Sequence, residues 1–189
     1  MPKITFDTES YYLDGEPFFF YSGEIPYFRV PRKDWRFRLQ KLKDAGANCV
    51  STYIPWGFHE PEEGSVSFEP GSQKDLDGFL ALCAEVGLFV VCRPGPNCYS
   101  ELRFEGLPHW LCENYPQIRA TGFDGKPFRS SSVSYLHPTF LEKAKKWYDA
   151  VMPVIQRHTL SNGGTVAFIQ LDNELGGTHE WIWGGYDYN

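Results

Sequence analysis

The segment IQLDNELGG, Ile169 to Gly177, holds the residue types that a proton-transfer site needs. The run TVAFIQL from Thr165 is β-branched and apolar, as in a buried strand, and it gives way to Asp172, Asn173 and Glu174, with Gly176 and Gly177 close behind. A carboxyl group at the end of a buried strand is partly desolvated, and desolvation raises an acid's pKa towards the range where it donates a proton at neutral pH. Glu174 is the candidate proton donor on that argument. Asn173 offers an amide to a substrate hydroxyl if the chain bends there, because strict alternation sends adjacent side chains to opposite faces. Gly176 and Gly177 make the bend accessible. An acidic turn after any strand has a similar composition, so these residues alone leave both readings open.

The preceding chain supplies elements that can position such a site. Ile4 to Tyr21 alternates around the turn pair Asp14-Gly15, predicting a hairpin that feeds a buried strand ending at Ser22-Gly23-Glu24. Pro31 to Ala45 carries Trp35, Leu39 and Leu42 at helical spacing, with Gly46 as its stop. Asn48 to Ile54 reads as a strand that spills into Pro55, Trp56, His59, Glu60 and Pro61. Gln73 to Val86 is a second helix with Leu76, Phe79, Leu80 and Cys83 on one face, and Leu88 to Cys92 a third strand ending in Arg93. Leu102 to Ser134 is a long aromatic excursion punctuated by Gly and Pro, the kind of loop that usually has a function. Pro138 to His158 is the third helix, with Phe140, Leu141, Ala144, Trp147, Tyr148, Val151 and Ile155 on its apolar face and Pro153 as a possible kink, and Thr165 to Leu171 closes a β-α-β-α-β-α-β series.

Alternating strands and helices imply a parallel sheet with right-handed crossovers. No Gly-rich phosphate loop follows the first strand, which weakens the case for an open nucleotide-binding sheet. The unusual residues gather instead at strand ends: Glu24, then Tyr53 and Glu60, then Arg93 and Glu101, then Glu174. That is where a (β/α)8 TIM barrel keeps its active site. A full barrel needs about 250 residues, so residues 1–189 are expected to be its N-terminal half, a partial domain with about the first four βα units. Half a barrel leaves its first and fourth strands with open edges, so self-association through them is expected.

Composition narrows the partners. A net charge of −6, with dispersed basic residues, argues against nucleic acid. No apolar run approaches the ~20 residues of a membrane span, and no leader pattern opens MPKITFDTES, so a cytoplasmic protein without membrane contact is expected. Five cysteines, Cys49, Cys83, Cys92, Cys98 and Cys112, lack CxxC or ligand spacing and read as buried free thiols. Aromatic residues make up 17% of the chain, enough for both core and sugar-stacking surfaces; Trp56, Trp110, Trp181 and Trp183 are candidates for either. His59-Glu60 suggests a metal only faintly, since no HExxH motif or ligand cluster accompanies it.

Five ordered strings then carry a resemblance. YSGEIPYFRVPRKDW (Tyr21 to Trp35), TYIPWGFHEPEEG (Thr52 to Gly64), GLFVVCRPGP (Gly87 to Pro96), GLPHWL (Gly106 to Leu111) and IQLDNELG resemble the catalytic barrel of glycoside hydrolase family 35, the β-galactosidases, from about Phe19 to Gly176. The resemblance implies a retaining exo-glycosidase that needs neither metal nor other cofactor. It places Glu174 as general acid/base, Asn173 on the sugar 2-hydroxyl, and Tyr53, Glu101 and Cys98 at the terminal sugar, with Cys98 suited to a backbone contact. A retaining enzyme uses two carboxyl groups about 5 to 5.5 Å apart. The family's nucleophile is a glutamate at the end of the seventh strand, beyond the four read here.

Several positions depart from the pattern. YICAEW after RPGP becomes Asn97, Cys98, Tyr99, Ser100, Glu101 and Leu102; a common Gly-Gly becomes Glu105-Gly106; Asp172 and Leu175 replace a Glu and a Tyr. These changes bear on which sugar is accepted. The leading expectation is hydrolysis of terminal β-galactosides. The alternatives are an exo-β-glucosaminidase of the same family, a truncated sugar-binding fragment without catalysis, and a barrel enzyme of another class using Glu60 and Glu174 around a metal. Glu101 paired with Arg93 or Arg103, and Tyr53 as plain core, are the structural alternatives for those two residues.

Overall fold

The computed structural model describes residues 2–127, 132–174 and 187. Its elements are β1 (Ile4–Phe6), β2 (Tyr11–Leu13), β3 (Glu16–Phe18), β4 (Ser22–Glu24), α1 (Trp35–Asp44), β5 (Cys49–Tyr53), α2 (Trp56–His59), α3 (Leu76–Val86), β6 (Phe89–Gly95), α4 (His109–Asn114), α5 (Pro138–Arg157) and β7 (Val166–Leu171). The protein is mixed α/β. The parallel sheet has order β4-β5-β6-β7, in register Ser22 to Cys49 and Glu24 to Ser51 between the first two strands. Successive strands lie side by side, as crossover helices require. Among the described elements β4 and β7 are its outer strands.

The N-terminal segment has one strand more than the hairpin expected from its pattern. β1, β2 and β3 form an antiparallel sheet, and the extra turn is made by Asp7, whose carboxylate accepts from Glu9 N at 2.8 Å and Ser10 N at 2.9 Å. This side-chain turn breaks the alternation without any glycine. The second turn is the Asp14-Gly15 pair, with φ of 53° and 92°, as a tight hairpin demands.

The chain forms two compact units. The first comprises residues 1–53, 68–92 and 152–169. Its core is Trp35 and Leu39 of α1 against Leu76, Phe79, Leu80 and Cys83 of α3, all at most 1% exposed. Tyr27 stacks on Phe79 with centroids 5.1 Å apart, and Trp35 meets the same ring edge-on at 5.3 Å. Two buried polar side chains in this core are matched: Trp35 Nε1 donates to Val30 O at 2.9 Å, and Asp75 caps α3 by accepting from Gly78 N at 2.8 Å. The helix therefore starts at Leu76, three residues later than its apolar periodicity suggested.

The second unit comprises residues 54–67, 93–151 and 170–189. Trp56, 1% exposed, lies parallel to Trp147 at 6.2 Å and edge-on to Trp110 at 5.9 Å. The aromatic excursion is more regular than expected, since Pro108 opens α4 and buries Trp110 and Leu111. Glu63 joins three chain segments: it accepts from Lys143 Nζ at 2.6 Å, Tyr115 Oη at 2.7 Å and Asn114 Nδ2 at 3.0 Å. The Lys143 bond, followed by those of Tyr115 and Asn114, outweighs burial and holds the Glu63 carboxyl at about 2, down from 4.5. A depressed acid contributes stability above its unfolded pKa and loses it as pH falls through the folded value. Glu63→Gln should thus flatten the decline of the thermal midpoint between pH 4.5 and about 2. Parallel midpoint curves for parent and variant would exclude this role.

Candidate active site

The site begins at the end of β6. Trp147 Nε1 donates to Pro94 O at 2.7 Å, Tyr148 Oη donates to Gly95 O, and Asp172 N donates to Gly95 O at 2.8 Å. Ile54 N meets Arg93 O at 2.9 Å. Strand and helix groups therefore anchor the backbone on either side of Arg93. From there the chain runs into a compact loop in which Cys98 N and Tyr99 N both donate to Glu105 O, at 2.8 and 3.0 Å.

That loop uses left-handed backbone at residues other than glycine: Tyr99, Ser100 and Glu101 at φ 57°, 47° and 50°, then Phe104 and Glu105 at 52° and 59°. L-residues adopt this region at a cost of about 1–2 kcal/mol each, and such strain collects at functional loops. Glu105 thus holds a conformation that glycine would adopt without steric cost. Gly106 sits at φ +89°, where an L side chain is strained, and a Cβ there would also press on Cys98 Cβ at 3.0 Å.

The end of β7 meets this loop through one side chain. Asn173, 7% exposed, accepts at Oδ1 from Arg93 Nη2 at 2.6 Å and from Gln170 Nε2 at 3.0 Å, and donates from Nδ2 to Cys98 O at 3.2 Å. Its backbone N–H donates to Asp172 Oδ1 at 2.7 Å. Of the two Nδ2 hydrogens, one goes to Cys98 and the other has no protein acceptor among the described residues. The expected bend is real: Asp172 and Glu174 both take positive φ, 60° and 51°, so the reversal occurs at these two residues themselves. Gly176, Gly177, Trp181 and Trp183 lie outside the described residues.

Burial and the Asp172 charge shape the local electrostatics. Burial above all, and then the Asp172 charge, push the Cys98 thiol up to about 12 against the opposing pull of Arg93. The same two causes, in the same order, raise the phenols of Tyr135 and Tyr148. The raised thiol and phenols therefore stay neutral and protonated beside Asn173.

The sequence candidates separate into groups. Asn173 and Cys98 come together. Cys98 is fully buried, with its N–H engaged by Glu105 and its carbonyl by Asn173, so what it presents to the site it presents through that amide. Glu174 directly follows Asn173 but is exposed, contrary to the burial expected of a strand end; β7 itself turns from buried Val166 to exposed Ile169, Gln170 and Leu171, and of the three residues after it only Asn173 is buried. Glu101 is exposed on the left-handed turn and, among the described residues, pairs with neither Arg93 nor Arg103. Tyr53, 6% exposed, ends β5 in the first unit. Glu60 is a structural carboxylate: its oxygens accept from Trp56 Nε1 and from Gly64 N at 2.7 Å. His59 Nδ1 lies 2.7 Å from Ser67 O, and no cluster of three metal-ligating groups exists among the described residues. Trp56 and Trp110 are core rather than sugar platforms, being 1% and 8% exposed.

Two participants had little or no local signal. Tyr135, bonded to Asn97 Nδ2 at 3.0 Å, is 38 residues away in sequence. Arg93 stood out as a strand-end cation, but nothing near it in sequence marks Asn173, 80 residues on, as its partner.

Residues 10–182 match glycosyl hydrolases family 35. The chain belongs to this family. An exo-β-D-glucosaminidase of Thermococcus kodakarensis is 42% identical over 92% of this chain and 23% of its own length. A β-1,2-glucosyltransferase of Ignavibacterium album is 41% identical over 97% and 26%, and a β-galactosidase of Homo sapiens 39% over 93% and 24%. This family 35 chain thus spans about a quarter of the length of the curated relatives it matches. In fold it is similar to the crystal structure of a β-galactosidase from the psychrophilic Marinomonas ef1, at a TM-score of 0.59 and 21% identity over 82% of this chain and 22% of that one. No helix among the described residues is long and apolar enough to cross a membrane.

Proposed function

We propose that residues 1–189 are the first four βα units of a TIM barrel and carry the acid/base half of a retaining exo-β-glycosidase site that acts on terminal β-galactosides. Glu174 protonates the leaving oxygen and then activates water, while Asn173 bonds the sugar 2-hydroxyl. Tyr53 and Glu101 take further hydroxyls, and Cys98 contributes through the amide it holds. The nucleophilic glutamate comes from a later strand of the complete protein. No metal or other cofactor enters this two-carboxylate chemistry. The outer strands β4 and β7 are where further chain, or a second copy, would pair.

The observation that carries the reading is the Asn173 amide, fixed beside Glu174 with a second Nδ2 hydrogen that has no protein acceptor among the described residues. A sugar 2-hydroxyl can accept that hydrogen bond, whereas a 2-ammonium has no lone pair to do so. Glucosaminide hydrolysis is the second reading, favoured by the 42% identity to the Thermococcus protein. Proton NMR of the complete protein turning over paired aryl β-galactoside and β-glucosaminide substrates decides among them. Faster galactoside cleavage with the β-anomer of galactose formed first is the expected result. A faster glucosaminide selects the second reading, and α-anomer first refutes a retaining mechanism. No turnover of either, with saturable galactose binding, leaves a sugar-binding protein.

A further inference from the structure

We propose that Arg93 is a positioning residue, which locks the Asn173 amide in the one orientation that offers an N–H to the substrate; this rests on the reading of Asn173 as the 2-hydroxyl ligand. A carboxamide has two orientations related by a half-turn about χ2, of nearly equal shape and intrinsic energy. Only its neighbours distinguish them. Arg93 Nη2, 2.6 Å from Oδ1, is a donor that cannot accept, and Cys98 O, 3.2 Å from Nδ2, is an acceptor that cannot donate. Turning the amide over would set NH2 against a guanidinium and oxygen against a carbonyl, at a site only 7% exposed.

Arg93 has the stronger hold of the two, because its bond is short and charge-assisted. Gln170 Nε2 reinforces it at 3.0 Å, and Gln170 is itself kept in place by donating to Asp172 O at 3.0 Å. Gln170 is nevertheless a neutral amide that can turn over together with Asn173, exchanging its donor for an acceptor. Arg93 has no such freedom. Its backbone is anchored too, by Ile54 N on Arg93 O at 2.9 Å and by Trp147 on the next carbonyl at 2.7 Å. The guanidinium thus turns a symmetrical side chain into a directional donor.

The test uses the complete protein and a matched pair of substrates, an aryl β-galactoside and its 2-deoxy analogue. Intrinsic reactivity differs between the two but cancels when their kcat/KM ratio is compared across variants. Arg93→Ala should lower the ratio of 2-hydroxy to 2-deoxy kcat/KM about tenfold, the size of one directed hydrogen bond. Arg93→Lys, which keeps a cationic donor, should recover part of it. Asn173→Ala should show the same loss, and Arg93→Ala added to Asn173→Ala should change the ratio no further. Should Arg93→Ala not fold, Arg93→Gln replaces it in the same comparison. A merely structural arginine would depress both substrates equally, so an unchanged ratio in folded Arg93 variants overturns the proposal while Asn173→Ala still shows its loss. If Asn173→Ala leaves the ratio unchanged, the reading of Asn173 as ligand has failed, and the role of Arg93 fails with it.

Discussion

Glu174→Gln in the complete protein should lower turnover of natural β-galactosides by roughly 10²–10⁴-fold, the range of a positioned general acid. Glutamine keeps the shape of the side chain but has no proton to give, and a sugar alkoxide leaves poorly unless protonated. An aryl galactoside with a strongly acidic phenol departs without help, so its first step should be nearly spared and a glycosyl-enzyme should accumulate. A small anionic nucleophile such as azide needs no general base and should then restore turnover. Glu174 is exposed at the end of β7, open to a substrate. In a retaining pair the two carboxyl groups lie about 5 to 5.5 Å apart, one giving the proton and the other attacking the anomeric carbon. Parent-like rates on a natural galactoside would remove Glu174 from this role.

The elements were legible wherever periodicity and capping agree. Leu76, Phe79, Leu80 and Cys83 follow a helical repeat and are all buried, and the apolar run from Val166 to Leu171 is a strand. The resemblance carried by the five strings fits the family match over residues 10–182. What escaped was set by side chains rather than by pattern. Asp7 makes a turn inside an alternating segment, α4 hides in a Gly/Pro-punctuated stretch, and β6 continues to Gly95 through the proline at 94. At the site, the sequence singled out Asn173 and the need for a bend. It looked to Gly176 and Gly177 to make that bend accessible, whereas Asp172 and Glu174 on either side of Asn173 take the positive φ themselves, a conformation that suits Asp but is uncommon for Glu. Glu174 is exposed where its strand-end position predicts burial, because burial depends on what packs around a strand end, information that a local string does not contain. Glu60 shows the converse: a carboxylate after a strand that looks chemical is a cap for Gly64 and an indole.

Trp56→Ala should be the most damaging core substitution of the second unit, lowering stability by about 3–5 kcal/mol. The side chain is 1% exposed and lies between Trp147, parallel at 6.2 Å, and Trp110, edge-on at 5.9 Å, so truncation opens a cavity with two large rings on its walls. Loss of Nε1 also deprives the buried Glu60 carboxylate of a donor. Trp56→Phe retains a ring for Trp147 and Trp110 but still removes that donor, so its destabilisation should be smaller, about 1–3 kcal/mol. The consequence should reach the chemistry as well. Trp147 leans on Trp56 and holds Pro94 O, the carbonyl next to Arg93, so a loosened Trp147 frees the end of β6 and with it the guanidinium that orients Asn173. Denaturant unfolding of both variants, followed by tryptophan fluorescence, measures the first effect, and kcat/KM on the folded Trp56→Phe protein measures the second. A Trp56→Ala midpoint equal to the parent's would show that the indole stack contributes nothing to holding this unit together.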